Sequence, residues 1–219
     1  MDYLLIRHYI YDLLRRFFIE EPSVNFLTFL QQGNTAEIIH SQLPESPAIT
    51  QQYQACINAL SNKNISENSD DYHGLHWDFT QLFIGPHTLP APPWESSYKN
   101  DRLLFTETTN EVEQYYQRYG FHLSKKEYEA ADHIGFELDF IYHLSQKPLS
   151  QEFDDINNLR DGLNGQGYFL NNHLLSFIDT FTTNIAKNAQ TDFYKNLASF
   201  TAEFVKFDAK KIESILLQF

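Results

Sequence analysis

The chain has one cysteine, Cys56, among 219 residues. This rules out an intrachain disulfide framework and fits a reducing compartment. Within Gln54-Ala55-Cys56-Ile57 the thiol reads as a small buried hydrophobe on a helix face. Positive charge is also short: 16 Lys and Arg against 29 Asp and Glu leave a formal charge of −13 and a pI near 5.0. Such a surface repels phosphate backbones and anionic lipid, so nucleic-acid and membrane-surface roles are set aside and basic partner segments are favoured. No run approaches the ~18 uncharged apolar residues of a membrane span. Asp2, Arg7, Asp12, Arg15 and Arg16 interrupt the N-terminal apolar residues, so no secretory signal is expected. Arg15-Arg16-Phe17-Phe18-Ile19 looks like the core of a twin-arginine export signal, but Glu20-Glu21-Pro22 stands where a long apolar region should begin. The expectation is a cytoplasmic protein. Catalytic fingerprints are missing as well. There is no HExxH, GxSxG or GxxxxGK[ST], and Gly162, Gly165 and Gly167 do not lie between a strand and a helix. No enzyme activity is expected.

Aromatic bulk is plentiful: 16% of the residues, with 13 Tyr and 19 Phe, far too much for a disordered polymer. The length allows one large domain or two small ones, and a chain of this size buries roughly 70% of its unfolded surface without a staple. Leu5, Tyr9, Leu13 and Phe17 step by four along Asp2–Phe18, a helix that Pro22 ends. Ser23 caps a short helix, Gly33-Asn34 breaks the chain again, and Ile49–Leu60 and Asp70–Phe83 resume helical spacing. Four prolines, Pro86, Pro90, Pro92 and Pro93, then forbid a helix. Val112, Tyr115, Tyr116 and Tyr119 mark a helix that Gly120 stops. Ser124-Lys125-Lys126-Glu127 has a capping-box arrangement that would open a long helix running to about Ser145. Pro148 closes that helix and Ser150 caps the next. The glycines at 162, 165 and 167 read as a loop, followed by helices at about 170–187, 192–206 and 208–218. Strand alternation and internal repeats are absent. The fold class is therefore all-α, a compact single-domain bundle of about ten helices over 1–219, with room for two subdomains (1–120 and 124–219) joined near residues 120–133.

Three constellations could carry chemistry. His73-Gly74-Leu75-His76 could bring two imidazoles together, but any third metal ligand would have to be remote. On a helix, Glu129, His133 and Glu137 would form one polar edge at i, i+4 and i+8, where flanking carboxylates would raise the histidine pKa. That edge is either a polar hot spot in a groove or hinge, or an ordinary surface with helical pairs. The proline loop Leu89-Pro90-Ala91-Pro92-Pro93-Trp94 reads three ways: a ligand for a proline-recognition domain, a rigid strap, or a loop clamped to the preceding helix by Phe79, Phe83 and Trp94. Scarce charge between Gln81 and Pro93 argues against a freely solvated linker.

Taken together, Phe79-x-x-Leu82-Phe83-Ile84-Gly85-Pro86, then Leu89-Pro90-Ala91-Pro92-Pro93-Trp94-Glu95-Ser96, then Asp132-His133, resemble the TorD/DmsD family of cytoplasmic chaperones that mature molybdenum-containing oxidoreductases. Phe169-Leu170-Asn171-Asn172-His173-Leu174-Leu175 and Phe193-Tyr194 agree with that family's C-terminal half, and the proline stretch looks closer to the DmsD branch. Three positions depart: Ala130 stands where a proline is usual, and Ser176-Phe177 where Pro-Trp is usual. Without the proline, the helix after Glu129 is expected to begin earlier and any hinge there to be less kinked. The resemblance implies a receptor for the twin-arginine leader and apo form of a molybdoenzyme catalytic subunit. It points to Trp77, Leu82, Phe83, Pro92, Pro93 and Trp94 as one wall of the peptide site. Asp132 and His133 would be its polar members, with His173 nearby. It leaves room for contact with the Tat translocase, and for a monomer or a domain-swapped dimer. Some members bind guanine nucleotide weakly; nothing here forms a phosphate-binding loop, so no cofactor is expected and guanine nucleotide enters through resemblance alone. The competing readings are an interaction scaffold that presents the proline loop and a metal-dependent hydrolase using His73, His76, Asp132 and His133.

Overall fold

The computed structural model describes residues 2–99, 103–123, 129–146 and 156–219, and among these residues there is no β-strand. They fall into two compact units built from separated segments. The first contains Met1–Ile19, Pro93–Ile178 and Val205–Phe219, and the second contains Glu20–Pro92 and Asp179–Phe204. Residues 120–123 and 129–133 belong to the first unit.

The second unit holds α2 (Val24–Gln32), α3 (Thr35–Gln42), α4 (Pro47–Leu60) and α5 (Asp70–Phe79). Ser23 accepts the Phe26 N–H at 3.2 Å and Ser69 accepts that of Tyr72 at 3.2 Å, so hydroxyl caps open α2 and α5. The Asp70–Phe83 periodicity divides: α5 stops at Phe79, and a π turn over Thr80–Ile84 carries the chain to Gly85. Asp78 is buried and accepts hydrogen bonds from the Gln190 and Thr191 N–H groups at 2.8 and 2.7 Å and from the Thr191 hydroxyl at 2.6 Å. These are the orphan donors just ahead of α11 (Asp192–Leu216), and a carboxylate suits that positive helix end.

In the first unit α1 (Asp2–Phe18) lies along α8 (Ile134–Gln146). Gly135 makes that approach possible, since a Cβ there would meet the Ile19 backbone at 2.7–2.8 Å. Arg15 covers the Tyr142 ring at 4.2 Å and pairs with Asp139 at 3.3 Å. Arg7, fully buried, bonds Asp208 at 2.6 Å and Gln166 at 2.5 Å, while the Tyr3 and Tyr11 hydroxyls donate to the same Asp208 carboxylate. A buried charge is tolerated only when paired and hydrogen-bonded in this way. The remaining elements of this unit are α6 (Ser96–Lys99), α7 (Glu107–Arg118) and α9 (Ile156–Phe169), with a second π turn over Leu170–Leu174, and α10 (Leu175–Asn188) passes into the second unit after Ile178.

Several sequence expectations are corrected. Gly162, Gly165 and Gly167 lie inside α9, not in a loop. Gly165 is there for close packing: a Cβ would fall 2.0 Å from the Tyr119 hydroxyl. The two terminal helices are one, because Asp208 is spent on Arg7 rather than on capping a new helix. Helix α8 begins at Ile134, so Glu129 and His133 do not form a helical edge with Glu137, and the missing proline at 130 has not advanced the helix. The capping box Ser124–Glu127, Pro148 and Ser150 lie outside the described residues.

Candidate functional site

In the first unit the end of the proline loop becomes a strap, Pro93–Ser97, tied to the turn at residues 129–134. Ile134 donates its N–H to the Pro93 carbonyl at 2.7 Å, and Glu95 donates its own to the Asp132 carbonyl at 2.9 Å. Asp132 has no exposed surface. Its two carboxylate oxygens accept the Ser96 N–H and the Thr109 hydroxyl, each at 2.8 Å. The Tyr116 hydroxyl donates to the Ala131 carbonyl at 3.0 Å. This backbone exchange orients Trp94, whose indole N–H donates to Glu129 at 2.6 Å and whose ring meets that of His133 edge-on at 6.1 Å. Glu129 is half-buried and stands at the edge of the indole.

His133 sits immediately before α8, where its Nδ1 accepts the Gly135 N–H at 3.1 Å, as a helix cap. With Nδ1 an acceptor, the ring proton is on Nε2. Burial pushes the His133 pKa down to about 3, so the ring is neutral at physiological pH. The expectation that neighbouring carboxylates would raise it is overturned. Off the helix, Glu129 turns to Trp94. Glu137, fully buried beside Glu95 and Asp132, is itself driven well above the carboxylate range, first by burial and then by those two charges. Desolvation is left to decide the histidine.

Below the strap, Glu95 has no exposed surface and gathers His173 Nδ1 and the Ser176 hydroxyl, both at 3.0 Å, together with Lys99. Burial opposes its charge, but His173 and Lys99 outweigh burial and hold its pKa below the ordinary value. His173 lies on the second π turn and stacks on Phe169 at 4.6 Å. Ser176, which departs from the family pattern, therefore serves Glu95, and Phe177, which also departs from it, stacks on Tyr98 at 5.5 Å. Sequence reasoning passed over Glu95. Its signal was a lone carboxylate following an otherwise uncharged proline run, which must find partners if it is buried.

In the second unit Leu82 and Phe83 are buried on the first π turn, where Phe83 meets Phe79, Phe181 and Tyr194 at 5.2, 6.0 and 6.2 Å. Trp77 is 65% exposed and touches His76 edge-on, while His76 bonds Glu21 at 2.9 Å. Ile84 is exposed and Pro92 half-buried. The structure thus groups Pro93, Trp94, Asp132, His133 and His173 around the strap in one unit. In the other it groups Leu82 and Phe83 in a shared core and leaves Trp77 open to solvent. Among the described residues, no group of three or more His, Cys, Asp or Glu side chains is placed to hold a metal ion.

Comparison with known proteins gives one family match and a consistent set of relatives. Residues 46–183 match the family described as nitrate reductase delta subunit. The chaperone protein TorD of Aliivibrio salmonicida is 27% identical over 188 residues, which cover 83% of this chain and 84% of that protein. The TorD of Vibrio vulnificus is 26% identical over 168 residues, 76% of each chain. A Haemophilus influenzae protein named "Probable Tat proofreading chaperone DmsD" is 27% identical over 146 residues, 66% of this chain and 62% of that one.

Proposed function

The chain belongs to the nitrate reductase delta subunit family and is, with the TorD and DmsD proteins it matches, a chaperone of redox-enzyme maturation; we propose that what it holds is the twin-arginine leader of a molybdenum-cofactor oxidoreductase of the DMSO/TMAO reductase type. In this reading it acts in the cytoplasm, keeps the apoenzyme open for cofactor insertion and prevents premature export. A twin-arginine leader presents two guanidinium groups beside an apolar, helix-prone stretch, so its receptor needs aromatic surface for the stretch and carboxylates for the fork. The observation that carries the reading is the tied strap. Trp94 is held in one orientation by its bond to Glu129 and by the exchange of backbone bonds between Pro93–Ser96 and Asp132–Ile134. A ring fixed in this way loses little freedom on binding. Pro93, Asp132, His133 and His173 then act from behind as positioning residues, while Trp94 and Glu129 form the contacting edge. On the second unit the exposed Trp77 ring is a separate candidate contact, while Leu82 and Phe83 belong to that unit's core. The net charge of −13 draws the basic leader in.

The test uses the two tryptophans as reporters. Twin-arginine leader peptides from host molybdoenzymes are titrated into the protein, with Arg-Arg→Lys-Lys peptides as controls, and Trp77→Phe and Trp94→Phe variants assign the fluorescence change. The expected result is saturable binding that weakens with the lysine pair, which keeps the charge but loses the planar fork. Absence of binding to every leader, with calorimetry agreeing, would remove leader capture from the protein and put the interaction-scaffold reading first.

A further inference from the structure

The first unit has a second concavity, between α7 and α9, which meets the surroundings of the strap at His173, a lining residue of its smaller part. It opens as two cavities of about 870 and 500 Å³ that share Tyr115, Arg118 and Tyr168. Its shape follows from the helices. On α9 the lining positions Asn158, Asp161, Gly165 and Tyr168 recur at three- and four-residue steps, and Asn172 follows on the π turn. On α7 Glu111, Tyr115 and Arg118 do the same. The lining is one face of each helix, a trough on the order of 20 Å long at 1.5 Å per helical residue, and about six residues of extended chain span that length.

The floor is aromatic and its polar ends point inward. Tyr115 donates its hydroxyl to the Gly165 carbonyl at 2.9 Å, and Tyr168, 54% exposed, stacks flat on Tyr115 with ring centres 5.3 Å apart. At Gly162 a Cβ would meet nothing within 4 Å, so the floor is open there. The rim is set with carboxamides: Gln114, Asn158 and Asn164 are exposed, and their side chains make no hydrogen bond within the described residues. A carboxamide offers one acceptor and two donors, the complement of a peptide group's own N–H and C=O. A helical segment satisfies those groups internally, whereas an extended one leaves them free. Exposed Arg118 and Asp161 give the larger cavity one charge of each sign, so it does not share the acidic preference of the whole chain.

We propose that the α7–α9 groove is a second peptide-binding site, which takes an extended polypeptide segment with an aromatic or proline side chain seated on the Tyr168–Tyr115 face. It is built to read backbone and ring faces rather than a paired guanidinium, and it stands independently of the leader reading.

The probe is a net-neutral, acetylated and amidated octapeptide of sequence (Ser-Phe-Ser-Pro)₂, whose prolines keep it extended. It is titrated into the ¹⁵N-labelled full chain. The expected result is that amide signals of Gln114, Asn158, Asn164 and Tyr168 shift together, and that Tyr168→Ala and Gly162→Leu each weaken binding at least tenfold. Both variants keep their affinity for a twin-arginine leader within about twofold, and the leader does not displace the probe. Because Tyr168 is exposed, Tyr168→Ala carries the test even if Gly162→Leu folds poorly. The proposal is overturned if the probe does not bind, if Tyr168→Ala leaves its affinity unchanged, or if the leader displaces it. Leader binding without probe binding sinks this inference alone; probe binding without leader binding sinks the proposed leader capture and leaves the groove standing.

Discussion

Acidifying the protein should cost it stability through one residue, His133. The ring is buried, its pKa lies at about 3 against an ordinary 6.5, and the unfolded chain takes up the proton that the folded one refuses. Stability from this group is therefore present above pH 6.5 and is lost as the pH falls toward 3. Each unit of pKa difference is about 1.4 kcal/mol, so between pH 6.5 and 4.5 the loss from this site is about 2 kcal/mol. Other groups titrate in the same window, so the comparison is with His133→Asn. Asparagine does not titrate there, is among the best helix caps, and can accept the Gly135 N–H that the imidazole now accepts. Urea unfolding at pH 6.5, 5.5 and 4.5 should show the wild type falling faster than the variant by that amount. The ring carbon signals of His133 should stay those of a neutral Nε2–H imidazole down to pH 4.5. Parallel pH profiles for the two proteins, or a ring signal titrating near pH 6.5, would refute the assignment of a desolvated, neutral cap.

Substitutions at three further positions test the packing of the first unit. Asp132→Ala orphans the Ser96 N–H and the Thr109 hydroxyl, both buried, and should destabilise by about 3 kcal/mol at roughly 1–3 kcal/mol per unsatisfied group, with Asp132→Asn recovering part of the loss in urea melts. Lost leader affinity with unchanged stability would instead make Asp132 a direct ligand contact. Gly135→Ala drives a methyl into the Ile19 backbone and should cost about 2 kcal/mol, whereas Gly162→Ala, in open space on the same unit, should gain up to about 1 kcal/mol; thermal melts that rank them the other way would disprove the close approach of α1 to α8.

The sequence was legible where local chemistry sets the backbone. The four-residue steps of Leu5, Tyr9, Leu13 and Phe17, the Ser23 cap and the proline block at 86–93 act within a few residues of themselves, and each was matched by the structure. It was illegible where a distant partner overrides local preference. Gly165 reads as a loop residue until Tyr119 is found occupying the space of its missing side chain. Asp208 reads as a helix start until Arg7, 201 residues away, is found holding it. The aromatic and proline residues of the candidate site were visible as types. The roles of the charged residues were not, because whether Glu95, Asp132 or Glu129 faces solvent, backbone or another charge depends on the tertiary path of the strap.

Ala130 shows why a motif can lose its most conspicuous residue and keep its geometry. A proline there would bar the preceding residue from helix and force the turn locally. Here α8 still starts at Ile134, because the N–H groups that an earlier helix would engage are committed elsewhere. The Ala130 N–H goes to Glu129 Oε1, the His133 N–H to the Ala130 carbonyl, and the Ile134 N–H to the Pro93 carbonyl. The Asp132 carbonyl, which a longer helix would use internally, accepts from Glu95 instead. Extending α8 by one turn would break the two backbone bonds to the strap and the buried Asp132 contacts, about 1 kcal/mol for each ordinary bond and more for the charged ones, against the small propensity of a few residues for helix. The turn is therefore held by its partner strand of chain rather than by its own sequence. Strap and turn form one structural object in which a change on either side is felt by Trp94.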